Sequence, residues 1–275
     1  MNLLSEQIQA IAREAGEIIL RAGISSENAI TGETVSAKPG HANYVTFYDG
    51  QVQSFLFDRL SKILPQAAFY GEEDGKNVFL DSYRTGDTFV IDPIDGTSNF
   101  MKGYRPSVIS IGLLRDGEPW LGVVYAPFSD QMFSAVRGEG AYENGIPIHS
   151  SEDPLETSLV LMGTAPYRED LSGKAFALGA RYISRCIDIR RSGSAAWDFC
   201  MVASGRIGFY FEPQACLYDF AAGACIAMEA GAAVTDLYGN PISFTGDSSL
   251  AAASAGVSGS DYLPAQLWGI DWMSL

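Results

Sequence analysis

Residues 89–100 read Phe-Val-Ile-Asp-Pro-Ile-Asp-Gly-Thr-Ser-Asn-Phe, and the rest of the chain takes its meaning outward from them. A short apolar strand runs into Asp92. Pro93, with no N–H to give, is expected to stop the sheet ladder, and Asp95 follows beside Gly96 and Thr97. Two carboxylates at the mouth of a strand are hard oxygen ligands able to share a divalent cation, and the freed Ile94 carbonyl between them is a further ligand candidate. Gly96 lets the main chain approach closely, and the N–H groups of Gly96 and Thr97 face a phosphate if a helical turn begins there. The alternative is an Asx-type turn with Asp95 as a helix N-cap.

Two further acidic positions bear on that choice. Gly71-Glu72-Glu73-Asp74-Gly75 forms a turn upstream, and Tyr218-Asp219-Phe220 opens an apolar helix far downstream. Each has a plain explanation, a solvated acidic turn and a helix cap. Together they bring Glu72, Asp92, Asp95 and Asp219 to one site if the fold makes them converge. Carboxylates clustered in a partly dry cleft repel unless cations neutralise them, so such a site implies magnesium or a similar ion.

The whole composition narrows the choice of partners. Among 275 residues, 33 Asp and Glu against 18 Lys and Arg leave a formal charge of -15. That disfavours nucleic acid, whose phosphates need a basic surface to release counterions. Apolar residues at 47% and aromatics at 12% support a full core in one large or two modest domains. The N-terminus carries Glu6, Glu14 and Glu17 instead of a signal peptide's basic start, and Leu4, Ile8, Ile11, Ala15, Ile18 and Ile19 fall at the spacing of an amphipathic helix. No run approaches the roughly 20 apolar residues that span a bilayer, so no membrane partner is expected. Cys186, Cys200, Cys216 and Cys225 form no C-x-x-C pair, which points to a reduced, cytoplasmic enzyme.

Residues 24–50, with Gly, Ser, Thr and Pro39, are expected to form a mobile loop or irregular hairpin, and a second helix is expected over 50–63. Strands follow at 88–91, 107–114, 120–126 and 131–136, the second and third joined by a tight Asp116-Gly117 hairpin. Beyond residue 155, strands at 158–163, 186–190, 207–212 and 232–236 alternate with helices near 168–181, 194–204 and 218–230, the last closed by Gly231. The change near 150 divides the chain into an N-terminal α+β subdomain, 1–150, carrying the metal-binding strand and turn, and a C-terminal α/β subdomain, 151–275, carrying the substrate pocket.

The run DPIDGTSNF, the upstream GEE, the segment RSGSAAWDFCMVASGRIGFYFE at 191–212 and YDFAAG at 218–223 together resemble the inositol monophosphatase family, over roughly residues 1–255. The resemblance implies an α/β fold, a layered αβαβα sandwich. It also implies Mg2+-dependent hydrolysis of inositol monophosphate or a related small sugar or polyol phosphate, with two or three ions per site, by a lithium-sensitive homodimer. Carried over residue by residue, it assigns Glu72, Asp92 and the Ile94 carbonyl to one ion and Asp92, Asp95 and Asp219 to a second. It assigns Asp49 and Thr97 to the attacking water, Gly96 and Thr97 to the phosphate, and Glu212 with Gly193, Ser194 and Ala195 to the alcohol. Tyr218 stands where the family usually has Trp, Asn43 where it has an acid, and Cys216 at a pocket position often polar. No basic patch to hold a second phosphate is expected near Glu212.

Other chemistries fit less well. A haloacid-dehalogenase-like phosphatase with an aspartyl phosphate uses Asp-x-Asp-Gly-Thr, whereas the spacing here is one longer, and residues i and i+3 of a regular strand do not share a side. Cys200 to Arg206 has cysteine-phosphatase spacing, but Trp197, Cys200, Met201 and Ser204 follow a helical pattern that makes Cys200 a core residue. His41 and His149 lack the setting of a histidine phosphatase. A non-catalytic metal-binding regulatory homologue has no need of the Asp49–Thr97 pair.

Overall fold

The first helix, α1 (Leu3–Ile24), turns Ile8, Ile11, Ala12, Ala15 and Ile19 inward on the stripe its spacing calls for. In the computed structural model, which describes residues 2–24, 35–38, 44–74 and 85–259, two short strands follow, β1 (Val35–Ala37) and β2 (Tyr44–Thr46), paired antiparallel. Thr46 caps α2 (Phe47–Ile63), which starts earlier than expected because a reciprocal capping box with Asp49 closes its first turn. Pro39, His41 and Asn43 lie outside the described residues.

A seven-stranded sheet occupies the middle of the chain. It is built from β3 (Ala68–Gly71), β4 (Asp87–Asp95), then, after the short helix α3 (Thr97–Lys102), β5 (Val108–Arg115), β6 (Glu118–Ala126), β7 (Gln131–Val136), β8 (Gly140–Glu143) and β9 (Ile146–Ile148). Only the β3–β4 pair is parallel. The hairpin between β8 and β9 turns on Asn144 and Gly145, both with positive φ.

The sheet corrects the expectation that Pro93 ends the ladder. The β4–β5 register runs to Asp92↔Ser110, resumes at Asp95↔Val108, and shifts in between. Three steps along β4 oppose two along β5, a bulge that takes the prolyl nitrogen out of the ladder. It also restores side-sharing. The extra residue lets Asp92 and Asp95, three apart, point the same way, so the spacing objection to a strand-borne carboxylate pair does not hold here.

A five-stranded mixed sheet holds the second half, in the order β11-β10-β12-β14-β13. Its elements are β10 (Leu159–Met162), α4 (Glu169–Tyr182), β11 (Asp188–Arg190), α5 (Ala195–Ala203), β12 (Phe209–Ala215), α6 (Leu217–Glu229), β13 (Ala233–Thr235) and β14 (Ser248–Ala253). Strand β10 runs parallel to β11 and β12, and β14 antiparallel to β12 and β13.

Alternation along the strands sets the layers. Phe89 and Ile91 of β4 pack with Ile8, Ile19, Leu56 and Leu60 of α1 and α2, while Val90 between them faces α5 and α6. In β12, Tyr210 joins that central layer, and Phe209 and Phe211 face Leu178 and Tyr182 of α4. The order is therefore α1/α2, sheet, α5/α6, sheet, α4: the expected αβαβα sandwich. Helix α6 is apolar nearly all round because both its faces are covered, as a central helix must be. Among the described residues no helix is long and apolar enough to cross a membrane.

One contact fixes how deeply α6 sits. Gly112 of β5 and Gly122 of β6 are directly paired. A Cβ at Gly122 would stand 2.4 Å from the Ala222 carbonyl oxygen, and one at Gly112 3.0 Å from the Ala221 Cβ. The two glycines leave a notch in the sheet that admits the helix backbone.

Candidate metal centre

The structure brings carboxylates from two elements far apart in the chain together. Oxygens of Asp92 and Asp95 at the bulged end of β4 and of Asp219 in the first turn of α6 lie within 4.8 Å of one another. Each is fixed from behind. The Asp92 Oδ1 accepts from the Ile94 N–H at 2.9 Å, and the Asp219 Oδ2 from the Cys216 N–H at 2.7 Å. Asp95 is not an N-cap of its own turn, because Gly96, at φ 92, holds that place without a side-chain bond. Its Oδ2 instead accepts from the Ser194 hydroxyl and the Ala196 N–H, both at 2.7 Å, at the positive end of α5. The N–H groups of Ala195 and Gly96 also favour its charge. Thus Ser194, Ala195 and Gly96, expected at the substrate, are turned at least partly toward Asp95.

A second group adjoins the first. Oxygens of Asp49, Glu72 and Glu73 also come within 4.8 Å of one another, and the charge of Glu72 acts on Asp92, which links the two groups. Asp49, the third residue of α2, accepts from the Thr46 N–H at 2.7 Å and from its hydroxyl through one oxygen. Its other oxygen faces the Thr97 hydroxyl at 3.2 Å, which also stands 3.1 Å from the Ile94 carbonyl. Lys38, which the sequence did not single out, lies 2.9 Å from Glu72 and 2.7 Å from Glu73.

Burial raises these acids. Asp49 is pushed up to about 7 and Asp95 to about 6, in both cases first by desolvation, with hydrogen bonds from Thr46 and from Ser194 and Ala196 opposing it. Desolvation also drives Asp92 and Asp219 well above the usual range, reinforced by Glu72 and Asp95 on Asp92 and by Asp95 and Glu72 on Asp219. Glu72 is raised by burial against the pull of Lys38. Burial opposes the charge of Lys38, but Glu72 and Glu73 outweigh it and hold the ammonium above its ordinary value. A hard, all-oxygen donor set with one lysine among so many carboxylates fits divalent cations of the magnesium or calcium kind.

Glu212 stands beside this cluster, close enough for its charge to act on Asp219 and for that of Asp95 to act on it. Glu212 of β12 accepts from the Ala165 N–H at 2.9 Å and is pushed up to about 8 by burial. A Cβ at Gly163 would fall 1.4 Å from its Oε2, so only glycine leaves room for this carboxyl. Gly193, at φ 85, packs against Asn99, whose amide donates to the Ser192 and Pro106 carbonyls at 2.9 and 2.7 Å and ties α3 to the 192–194 turn. The Tyr167 ring is 41% exposed, and its phenol lies in the field of Asp219, Glu212, Cys216 and Asp95. Arg191 acts on Glu212 and donates to the Thr164 hydroxyl at 3.0 Å. Tyr167 carries no sequence signal, and Arg191 opens the segment that carries the family resemblance without a role assigned to it there. Cys200 is fully buried in α5, as its spacing indicated.

Comparison with known proteins agrees with this geometry. The sequence matches the inositol monophosphatase family over residues 2–267. It is 35% identical to the Nus factor SuhB of Pasteurella multocida, covering 88% of each chain, and 33% identical to inositol monophosphatase 1 of Solanum lycopersicum, covering 85% of this chain and 84% of that one. The crystal structure of the extragenic suppressor protein suhB from Bartonella henselae superposes with a TM-score of 0.83 at 31% identity, over 95% of this chain and 97% of that one.

Proposed function

The chain belongs to the inositol monophosphatase family, and on that premise we propose that it is a Mg2+-dependent phosphomonoesterase acting on inositol monophosphate or a related small sugar or polyol phosphate. The observation that carries this reading is the meeting of Asp92, Asp95 and Asp219 beside the Asp49–Thr97 pair, with Glu72 grouped with Asp49 and its charge acting on Asp92.

Divalent cations, when bound, neutralise a phosphate dianion, lower the pKa of water and shield a departing alkoxide. In this proposal Glu72, Asp92, Asp95, Asp219 and the Ile94 carbonyl hold them. Asp49, whose Oδ1 is free of the Thr46 cap bonds and faces the Thr97 hydroxyl, is placed to take a proton from the attacking water. The Thr97 hydroxyl, held between Asp49 and the Ile94 carbonyl, orients that water. The turn at Gly96 and Thr97 receives the phosphate. Glu212, with Gly193, Ser194 and Ala195, receives the hydroxyls of the alcohol. The site then lies between an N-terminal half, 1–150, and a C-terminal half, 151–275. A homodimer and lithium sensitivity are proposed on the family's account alone. A reduced, cytoplasmic setting is supported by four free cysteines.

Phosphate release with Mg2+ across a panel of inositol, sugar and polyol monophosphates tests the proposal. Turnover of at least one member that falls away with a chelator is expected. Bound divalent ions without release from any substrate would favour a non-catalytic homologue instead. The name Nus factor carried by the bacterial relative makes that second reading a concrete one.

A further inference from the structure

Gln53 lies one turn beyond Asp49 on α2 and is almost fully buried. Its Oε1 accepts the Glu73 N–H at 3.0 Å. Its amide also lies flat against the main chain at Gly71, where a Cβ would stand 2.4 Å from Oε1 and 2.5 Å from Cδ. Gly71 is the last residue of β3, and the next two residues are Glu72 and Glu73. The missing side chain of Gly71 is therefore the space that the Gln53 amide fills. One helix thus carries both Asp49 and the group that grips the Glu72–Glu73 turn, and the gripped turn brings its carboxylates within 4.8 Å of Asp49.

We infer that Gln53 is a positioning residue: its amide ties the Glu72–Glu73 turn to α2 and so sets Glu72 at its distance from Asp49. The inference rests on the reading of these carboxylates as a metal centre. Without the bond, the Glu73 N–H loses a buried partner and the turn is free to tilt. Groups standing one step behind a metal ligand typically change affinity by about 10- to 100-fold when removed.

The test compares Gln53→Met and Gln53→Glu with wild type, by titration calorimetry with Mn2+ and by thermal unfolding with and without Mn2+. Methionine keeps length and bulk but removes the acceptor. At least one Mn2+ site is expected to weaken about tenfold. Glutamate keeps an acceptor oxygen and adds a charge beside Glu72 and Asp49. It is expected to restore most of the affinity while lowering the unfolding midpoint of the metal-free protein more than that of the Mn2+-loaded one. Wild-type affinity in Gln53→Met overturns the inference while leaving the metal centre standing. If Gln53→Met does not fold, a Gln53→Glu variant that loses Mn2+ as badly as a ligand substitution such as Asp92→Asn overturns it as well. A wild type that binds no Mn2+ overturns the metal centre itself.

Discussion

Asp49 and Asp219 hold the same place in two different helices. Each is the third helical residue, and each accepts the backbone N–H of its own N-cap, Thr46 or Cys216, at 2.7 Å. Each also keeps an oxygen within 4.8 Å of other site carboxylates. One side chain thus closes a helix and builds the site, so the two roles separate by choice of substitution.

Asp219→Asn retains a carbonyl oxygen for the Cys216 N–H while removing a charge from among Asp92, Asp95 and Glu72. Without metal its unfolding midpoint is expected to match or exceed wild type, while Mg2+-dependent phosphate release is lost. Asp219→Ala also forfeits the cap, for a further loss of about 1 kcal/mol. Equal stabilities of the Asn and Ala variants in chelator would refute this.

Protons should compete with cations at the site. Asp95, Asp49 and Glu212 hold their protons up to about 6, 7 and 8 in the folded chain, against about 4 when unfolded. The metal-free folded state therefore binds more protons than the unfolded state across that window. The contribution of these three groups to its stability falls as pH rises from about 4 to about 8. Thermal unfolding with a chelator is expected to give a higher midpoint at pH 5 than at pH 8, and saturating Mg2+ to reverse the order. A chelated protein equally stable at both would contradict the stated shifts.

Lys38 is the cation facing Glu72 and Glu73, with side chains 23%, 14% and 17% exposed. Lys38→Met is expected to destabilise the metal-free protein by about 1–2 kcal/mol, between the values for exposed and buried pairs. Saturating Mg2+ should shrink that loss, since the added ions then supply the missing charge. A loss of the same size with and without Mg2+ counts against it.

Gly122→Ala sets a methyl group 2.4 Å from the Ala222 carbonyl oxygen, which is backbone and cannot swing aside. Helix α6 must move, at a cost of about 1–3 kcal/mol, and Asp219 at its start moves with it. Phosphate release should fall more steeply than stability alone explains. Gly173→Ala on the exposed side of α4 meets nothing within 4 Å and serves as control. It is expected to gain about 0.5–1 kcal/mol. Full activity in Gly122→Ala would show that α6 does not set the site.

Much of this arrangement was legible in the chain. The stripe on α1, the Asp-Gly hairpin and the strand-helix alternation beyond residue 155 each leave a periodic or turn signal. The acidic positions stood out because each sits beside a glycine, a proline or a helix start. Pro93 misled, because whether a proline ends a ladder or is absorbed in a bulge depends on the partner strand, and nothing near Pro93 names it. Strands β3, β8, β9 and β14 were missed, the first three because they are only three or four residues long and the last because it is an alanine-rich stretch without alternation. Lys38, Gln53, Asn99 and Tyr167 are ordinary surface or helix residues in sequence. Their contacts with the site exist only because distant segments meet.

The glycine notch has a consequence for how the chain is made. All seven strands of the first sheet are complete by Ile148, yet the helix that plugs the groove between Gly112 and Gly122 is not synthesised until residues 217–229. Until then the inward face around Val90, Val124 and Phe133 stands open to water on the ribosome. A polypeptide released early, short of α6, would carry a sticky trough and most of its acidic cluster at once. Exposed apolar surface of this kind favours aggregation until α6 closes over it.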